Sequence, residues 1–441
     1  MRKKVGLFSV ILLISILFVA TACSKNTGSD SGSSGDSGKT VIKYWSMWNT
    51  GEPQQEVIQG IIDAYEEENP DVTIDVQWMG RQVLSDVRNA SLGGDGAPDL
   101  TDQSGAEVVG TLVKNELVEP LNDLLTMEIP NEGATFQDVF IDDTLSFYQQ
   151  DEDTYFIPYE IITSGFHYNE SLFNEHGIDA PSTWDEFIEV GKKLKDKGIA
   201  PLAQDGNIDF YNAYYYYWLT ERIMGAESLL KAAGDETGET WSEPGYLEAA
   251  KKIEELVDND FFADGYEGSQ YPAAQTAWAK GDSAMILNGS WISSETSEYS
   301  SDDFIYRAFP FPEIESSEVD SDQAELYLIG WVAPEGSNVD AVQDFLAFAM
   351  QKQYQEGIVT ETGNISTRND LDAPEKLTDL KEMIVNASTY HAEYDRLQAE
   401  YPEWWKTVFL PLDDSLLFGD ITADEFIDQL QVQTKEFWEN Q

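Results

Sequence analysis

The chain has 441 residues, of which 82 are acidic and 26 basic, and its formal net charge is −56 at pH 7. A field this negative repels nucleic acids and anionic lipid surfaces, and it disfavours anionic solutes unless a local basic pocket is present. The length is sufficient for two domains of ordinary size.

The N-terminus has the pattern of an export signal. Basic residues at positions 2–4 precede an apolar stretch at positions 7–20, and small residues lead to Cys23, the only cysteine. The stretch is too short for a permanent membrane span, which needs about 20 apolar residues. The pattern therefore predicts a signal peptide over residues 1–22.

The residues before Cys23 resemble the lipobox of bacterial lipoproteins, although Ala20 stands where leucine is usual. This resemblance implies that Cys23 is acylated and anchors the protein to the outer face of a membrane. The alternative is plain secretion with an incidental cysteine. Residues 23–40 are rich in Gly and Ser, which predicts a flexible tether.

A βαβ unit follows the tether. Apolar residues predict a strand over residues 41–45 and a second over 72–76. Between them, Pro53 opens a helix with helical apolar spacing, which Asn69-Pro70 ends. This order predicts a parallel sheet. A second helix over residues 82–92 leads to a short third strand at Asp99-Leu100.

The later elements continue the α/β alternation. Further strands are predicted at residues 155–158, 164–168, 284–287 and 326–332, helices at 184–195 and 339–350, and a mainly helical part at 373–437.

Several motifs occur together in this order over nearly the whole chain. They are Gly94-Asp95-Gly96-Ala97-Pro98-Asp99-Leu100, Ile157-Pro158-Tyr159 with the later Tyr168-Asn169, Pro181-Ser182-Thr183-Trp184-Asp185-Glu186, Gly281-Asp282-Ser283-Ala284-Met285 with Asn288-Gly289-Ser290-Trp291, and Gly330-Trp331. In these segments the chain resembles the sugar-binding, maltose-binding-protein-like family of ABC-transporter extracellular solute-binding proteins.

The resemblance implies an α/β, two-lobe periplasmic-binding-protein-like fold of type II, with a ligand cleft between hinge-linked lobes. We expect an N-terminal lobe of residues 41–160 plus 312–353 and a C-terminal lobe of residues 161–311 plus 354–441. The expected crossings lie near residues 160–163, 308–311 and 354–359.

The implied function is a monomeric, membrane-anchored receptor that captures an oligosaccharide and delivers it to an ABC-transporter permease. The alternatives are a receptor for a non-sugar solute, such as a polyol or peptide, and an exported carbohydrate-active enzyme. Nucleic acid is not an expected partner, and the membrane is reached only through the lipid anchor.

Candidate ligand residues in the first lobe lie where strands end, since an open α/β sheet places its crevice there. Aromatic rings stack on the faces of sugars, and carboxylates and amides bind the hydroxyl groups at their edges. On this basis the candidates are Trp48, Asn49, Gln82, Asp102, Gln103 and, at the expected hinge, Glu160.

Candidates in the remaining chain come from an aromatic run at residues 211–218 and from the motifs above. Tyr215 and Trp218 lie on one helical face, and the resemblance implies a stacking ring there and at Trp291. The other candidates are Asn288, Trp331, Arg368 and Trp405. Arg368 could instead form a structural ion pair, and Trp405 could simply pack a helix.

Catalytic and metal-binding signals are weak. The three histidines have no metal-ligand spacing, and the sequence contains neither a nucleophile-elbow motif nor a phosphate-binding loop. The segment from Asp258 to Gly265 departs from the calcium-loop pattern at Phe262 and Ala263. We therefore expect no enzyme activity, no cofactor and no metal.

Overall fold

The structure, a computed structural model, describes residues 39–94 and 96–441. The predicted signal peptide, the acylated Cys23 and nearly all of the tether lie outside the described residues, as does Asp95 of the first motif. Within the described part, none of the helices has the length and apolar character needed to cross a bilayer.

The strands form two separate sheets. They are β1 (Thr40–Ser46), β2 (Val72–Trp78), β3 (Leu100–Ser104), β4 (Phe156–Ile162), β5 (Ser164–Asn169), β6 (Ala200–Ala203), β7 (Ser283–Gly289), β8 (Tyr306–Phe309), β9 (Gln323–Val332), β10 (Ile365–Ser366) and β11 (Thr389–Ala392). The first sheet has the order β10-β4-β9-β3-β1-β2, with β11 also pairing β9, and the second has the order β6-β7-β5-β8.

Helices connect and cover these strands. They are α1 (Pro53–Glu68), α2 (Val83–Gly93), α3 (Gly105–Thr111), α4 (Glu170–His176), α5 (Trp184–Asp196), α6 (Asp209–Met224), α7 (Ser228–Ala233), α8 (Pro244–Asp258), α9 (Ala273–Ala279), α10 (Ile292–Thr296), α11 (Val339–Ala349), α12 (Lys352–Thr360), α13 (Thr378–Asn386), α14 (Leu397–Glu400), α15 (Pro402–Trp404), α16 (Leu410–Leu417) and α17 (Ala423–Glu439).

The predicted βαβ unit is confirmed. Strand β1 pairs in parallel with β2 and with β3. Helix α1 begins at Pro53, which supplies a fixed φ at the first turn, and buries Ile58, Ile61 and Ile62 against the sheet. The sheet as a whole is mixed, because β9 runs antiparallel to both β3 and β4. The predicted parallel pairing is therefore correct for β1, β2 and β3, and β11 also pairs in parallel with β9.

Each sheet has its own apolar core. The first core surrounds β1, β3, β4 and β9, and it includes residues of α11 and α13. The second core surrounds β5 and β7, and α6 lies at its centre with every side chain from Tyr211 to Arg222 buried. Two cores of this kind are the physical basis of the two lobes, since each sheet buries one apolar face against its own helices.

The chain passes between the sheets three times. It leaves β4 after Ile162 and enters β5 at Ser164, and it returns between β8 and β9 over residues 310–322. We expected the third crossing at residues 354–359, but these residues lie in α12 of the first lobe. Strand β10 still pairs β4 and β11 still pairs β9, so the chain stays in the first sheet until Ala392.

Candidate functional site

A cavity of about 800 Å³ is lined by residues of both lobes. It lies beyond the carboxyl ends of β1, β3 and β4, as expected for an α/β crevice. Residues before the first crossing contribute Met47, Trp48, Glu52, Pro53, Gln54, Arg81, Gln82, Gln103, Glu107, Glu160 and Ile162. Later residues contribute Phe210, Trp291, Ser294, Glu295, Tyr327, Ile329, Glu361, Thr362, Asn364, Glu393 and Gln398.

Asp102 is the centre of a buried hydrogen-bond network behind the first-lobe wall of the cavity. Its Oδ2 accepts hydrogen bonds from the hydroxyls of Tyr44 (2.9 Å), Tyr159 (3.0 Å) and Ser46 (3.2 Å), and its Oδ1 accepts one from the Met47 N–H (2.8 Å). Burial raises the pKa of Asp102 to about 6, against the opposing effect of these hydrogen bonds. We expected Asp102 to be a ligand residue, but it does not line the cavity because both of its oxygens already bind protein donors.

The Asp102 network holds Trp48 in place. The Trp48 Nε1 donates to the Tyr159 hydroxyl at 2.8 Å, and Tyr159 in turn donates to Asp102. Trp331, predicted as a cleft residue, lies behind this network and not on the cavity wall. Its Nε1 donates to the Tyr44 hydroxyl at 3.0 Å, and its ring packs against Tyr159 at a centroid distance of 4.3 Å.

Arg81 covers one face of Trp48. Its guanidinium carbon lies 4.4 Å from the Trp48 ring centroid, within the range of a cation–π contact. Both terminal nitrogens of Arg81 also donate to the Glu52 carboxylate, at 3.0 and 3.1 Å. Partial burial opposes ionisation of Glu52, but hydrogen bonds from Asn49 and Arg81 lower its pKa overall. Asn49 thus binds Glu52 and does not itself line the cavity.

Glu160 faces the cavity from β4, although its side chain is fully buried from solvent. Its Oε1 accepts a hydrogen bond from Asn364 Nδ2 at 2.7 Å, and Gln54 Nε2 lies 3.4 Å from its Oε2. Burial raises the pKa of Glu160 to about 7, more than these amide donors lower it. The Glu160 carboxyl group can therefore gain or lose its proton near neutral pH.

Two predicted glutamines also line the cavity. Gln103 donates from Nε2 to the Arg81 carbonyl at 3.0 Å and accepts the Ser104 N–H on Oε1 at 3.0 Å, so its position is fixed by both ends of the amide. Gln82 precedes the first turn of α2 and is exposed at the cavity edge.

Trp291 forms the wall of the second lobe. The ring lies directly on Gly289, where an added Cβ would be 2.2 Å from it, so only glycine permits this packing. Trp291 Nε1 donates to the Tyr211 hydroxyl at 3.2 Å, and the two rings are nearly parallel at an interplanar angle of 22°. Phe210, which precedes Tyr211 in the first turn of α6, completes this aromatic wall. Trp291 thus lines the cavity, as predicted.

Tyr215 and Trp218, the two candidates from the aromatic run at residues 211–218, lie in the core of the second lobe and not at the cavity. Both are fully buried. The ring of Tyr215 packs against Phe262, and Trp218 stacks on Phe311 and donates to Ser164 Oγ. Because α6 is the central helix of this lobe, only its first turn reaches the cavity.

Three more candidates have structural roles away from the cavity. Arg368 is buried in ion pairs with Glu132 (2.7 Å) and Asp370 (2.8 Å), which was the alternative for this residue. Trp405 packs against Phe409 in the C-terminal helical part. The Asn288 side chain accepts the Gly289 N–H at 2.8 Å, and Asn288 is not among the cavity-lining residues.

Several cavity residues were missed by the sequence reasoning. Arg81 precedes the candidate Gln82, and Asn364 begins the segment in which Arg368 was selected. A search for every polar residue adjacent to a strand end would have found both. By contrast, Glu393 reaches the cavity only because β11 pairs β9, and no local pattern reveals that pairing.

The cavity combines aromatic walls with fixed amide and carboxylate groups from two hinge-linked lobes. Such a site can enclose a polar solute that presents weakly polar faces to the rings and hydroxyl or amine hydrogens to the acceptors. Among the residues that the structure describes, no group of three or more His, Cys, Asp and Glu side chains is arranged to hold a metal ion.

Comparison with known proteins gives a consistent result. Residues 49–356 match the family described as bacterial extracellular solute-binding protein. The diacetylchitobiose binding protein NgcE of Streptomyces coelicolor is 29% identical over 49% of this chain and 46% of its own length. The multiple sugar-binding protein of Streptococcus mutans is 24% identical over 66% of this chain and 65% of its own length. The chain therefore spans about half to two thirds of the length of these curated relatives.

A solved structure of a chitin oligosaccharide binding protein superimposes with a TM-score of 0.71 at 22% identity, covering 90% of this chain and 98% of that one. This likeness confirms the predicted two-lobe fold. Together with the match over residues 49–356, it shows that the chain belongs to the bacterial extracellular solute-binding protein family.

Proposed function

We propose that this protein is the receptor of an ABC importer and captures a carbohydrate, preferably an oligosaccharide, in the cavity between its lobes. Several relatives are named for sugars or oligosaccharides, among them NgcE and the multiple sugar-binding protein. The captured sugar would pass unchanged to membrane permease subunits, and the receptor would act as a monomer anchored through acylated Cys23.

The observation that carries this proposal is the aromatic lining contributed by both lobes. Trp48 lines the cavity from the first lobe, and Trp291 and Phe210 line it from the second. Sugar rings present C–H faces that pack well on indole and phenyl groups, while their hydroxyls can reach the amides of Gln54, Gln103 and Asn364.

The size of the cavity also supports a saccharide. A volume of about 800 Å³ lies in the upper part of the usual range for small-molecule sites. Such a volume has room for more than one sugar ring, which favours an oligosaccharide over a monosaccharide. A polyol would leave the aromatic faces without a flat partner, and a peptide would need backbone donors and acceptors along an extended groove.

The proposal is tested by titrating the purified protein with a panel of neutral oligosaccharides, polyols and short peptides in a calorimeter. We expect saturable binding of at least one oligosaccharide and full recovery of the intact ligand afterwards. Binding of only polyols or peptides would refute the carbohydrate proposal. New reducing ends after long incubation would instead favour an exported carbohydrate-active enzyme.

A further inference from the structure

One face of α6 contacts all three crossings between the lobes. At the first crossing, Trp218 Nε1 donates to Ser164 Oγ at 2.9 Å. At the second, Arg222 Nε donates to the Phe311 carbonyl at 3.1 Å. At the third, the Tyr217 hydroxyl donates to a backbone carbonyl at the end of β11, at 2.9 Å. Because residues three and four apart share a helix face, residues 214–222 of α6 and the three crossings form one contact region, which we call the interlobe junction.

Two glutamates lie in the interlobe junction, and neither carboxyl group has a hydrogen-bond donor. Glu221 belongs to α6 and Glu325 to β9, and both side chains are fully buried. No N–H or O–H group of the described residues donates to any of their carboxyl oxygens. A carboxylate that is separated from water and from donors is unfavourable, whereas the neutral acid is tolerated. The geometry therefore favours the protonated form of both groups.

Burial and neighbouring carboxyl groups act on the two glutamates in the same direction. Burial raises the pKa of Glu221 well above its ordinary value, and the adjacent carboxyl group of Asp395 raises it further, more than the Arg222 guanidinium lowers it. Burial is also the main cause of the raised pKa of Glu325, and the nearby carboxyl group of Glu393 adds to it. The electrostatic environment thus agrees with the absence of donors around these two groups.

Asp395 lies beside Glu221 as a hydrogen-bond acceptor. Its Oδ1 accepts the Glu227 N–H at 2.8 Å, and its Oδ2 accepts the Leu229 N–H at 3.0 Å. Burial raises the pKa of Asp395, and the Glu221 side chain and these two bonds oppose that rise. The backbone at residues 394–396 is left-handed, with φ of 46°, 52° and 66°, which is strained for residues other than glycine. Contacts with the second lobe therefore hold the third crossing in a strained conformation.

Positive charge in the interlobe junction is scarce. Arg222 is its only buried cation among the described residues. His391 lies opposite Glu325 in the pairing of β11 with β9, but burial and the Arg222 charge lower its pKa to about 3, so it is neutral. The partly exposed Arg396 is paired with Glu227 at 2.6 Å. One buried cation does not neutralise several carboxylates. The titratable and charged groups of the surrounding elements are Tyr148, Tyr214, Tyr217, Arg222, Glu227, Tyr246, Asp320, Asp322, His391, Glu393, Tyr394, Asp395 and Arg396.

We propose that the interlobe junction is a proton-dependent lock, which is closed while Glu221 and Glu325 hold protons and opens when they lose them to water. As a neutral acid, Glu221 can donate to Asp395 and so joins α6 to the third crossing. Deprotonation leaves like charges in a region of low dielectric, and separation of α6 from the crossings admits the water that solvates them. Glu393, which follows β11, lines the cavity, so the state of the lock reaches the solute site. The lock does not depend on which solute the cavity takes.

The pH dependence of the lock has a defined sign. The ordinary pKa of a glutamate is 4.5, and burial raises the pKa of both glutamates in the folded protein. The stabilising contribution of each group is therefore complete below pH 4.5 and is lost as the pH rises through the raised pKa. Burial raises the pKa of Glu393 to about 7, against the opposing hydrogen bond from Tyr214, so this third group follows the same trend. The junction should be closed in acid and should loosen in alkali.

The test uses the purified, unliganded protein at pH 5, 7 and 9. Small-angle X-ray scattering measures the separation of the lobes, and denaturant unfolding measures stability. We expect the radius of gyration to rise and the unfolding midpoint to fall between pH 5 and pH 9. Glutamine cannot ionise, so Glu221→Gln and Glu325→Gln should match the unaltered protein at pH 5 and should lose less of the midpoint and expand less at pH 9. The two changes combined should leave no more than half of each shift.

A matched control separates the lock from other effects of pH. Glu189→Gln is an exposed change on α5 of the same lobe and should keep the full pH dependence. The acidic surface and Glu160 also respond to pH, so the result lies in the difference between each variant and this control. If Glu325→Gln does not fold, Glu325→Met, with an uncharged side chain of similar length, takes its place in the comparison.

Three results would overturn the proposal. The first is a radius of gyration that does not change between pH 5 and pH 9. The second is a loss of midpoint in the combined variant as large as that in the Glu189→Gln control. The third is a midpoint lowered equally at pH 5 and pH 9 in the variants, which would show that the two glutamates serve packing alone. None of these results bears on carbohydrate capture, which the oligosaccharide panel tests separately.

Discussion

Truncation of Trp291 should weaken ligand binding much more than it weakens the fold. Removing an aromatic anchor from a binding site commonly costs about 2 kcal/mol or more, which corresponds to roughly a 30-fold rise in Kd. Trp291 is only half-buried, and its one side-chain hydrogen bond, to Tyr211, is replaceable by water. We therefore expect Trp291→Ala to lower the free energy of unfolding by only about 1–2 kcal/mol. Calorimetry gives the Kd, and denaturant unfolding gives the stability.

Trp218→Ala is the matched control, since it removes the same ring from the core of the second lobe. Trp218 is fully buried and stacks on Phe311, so its loss should cost about 3–5 kcal/mol of stability. The fraction that remains folded should keep its affinity within a few fold. The reverse pattern, in which Trp291→Ala binds normally but unfolds easily, would show that Trp291 is a packing residue.

Three further variants test other parts of the account. The pKa of the Glu160 carboxyl group is raised from 4.5 to about 7, so the group stabilises the fold below pH 4.5 and loses that contribution, at most about 3 kcal/mol, as the pH rises through 7. Glu160→Gln should therefore flatten the pH dependence of stability. Denaturant unfolding at pH 5 and pH 8 measures the difference, and an unchanged slope would contradict the assignment. Asp102→Asn should weaken ligand binding and lower the melting temperature, because the amide nitrogen that replaces Oδ2 cannot accept from the hydroxyls of Tyr44, Ser46 and Tyr159. A melting temperature equal to that of the unaltered protein would count against the network. Cys23→Ser should release the protein from membranes into the medium, and equal retention in a membrane fraction would exclude the acyl anchor.

The secondary structure at the start of the first lobe could be predicted from the sequence because local residue patterns mark where each element begins and ends. Apolar residues at helical spacing and the flanking prolines define α1, and its position between two apolar strands predicts their parallel pairing. The third crossing could not be predicted in this way. It depends on β10 and β11, which are short strands that join the sheet through pairing with distant residues.

The candidate site was predictable only in part, for a related reason. Trp48 and Trp291 follow strands directly, so their place at the sheet edge follows from local order. Helix α6 has aromatic residues on every face, and its periodicity therefore carries no information about which face meets the cavity. Tyr215 is predicted because it shares a face with Trp218 and the family resemblance implies a stacking ring there, whereas Phe210, at the start of the helix, lines the wall. The sequence places Asp102 at the end of a strand, but it does not show whether the carboxylate accepts hydrogen bonds from a ligand or from the protein's own donors.

A crystal structure of the protein bound to the oligosaccharide that it prefers would test the central claim most directly. The account predicts an intact saccharide between the two lobes, with one sugar ring against Trp291 and polar groups of the ligand on Gln103 and Glu160. A saccharide bound outside this cavity, or one cleaved at a glycosidic bond within it, would contradict the account.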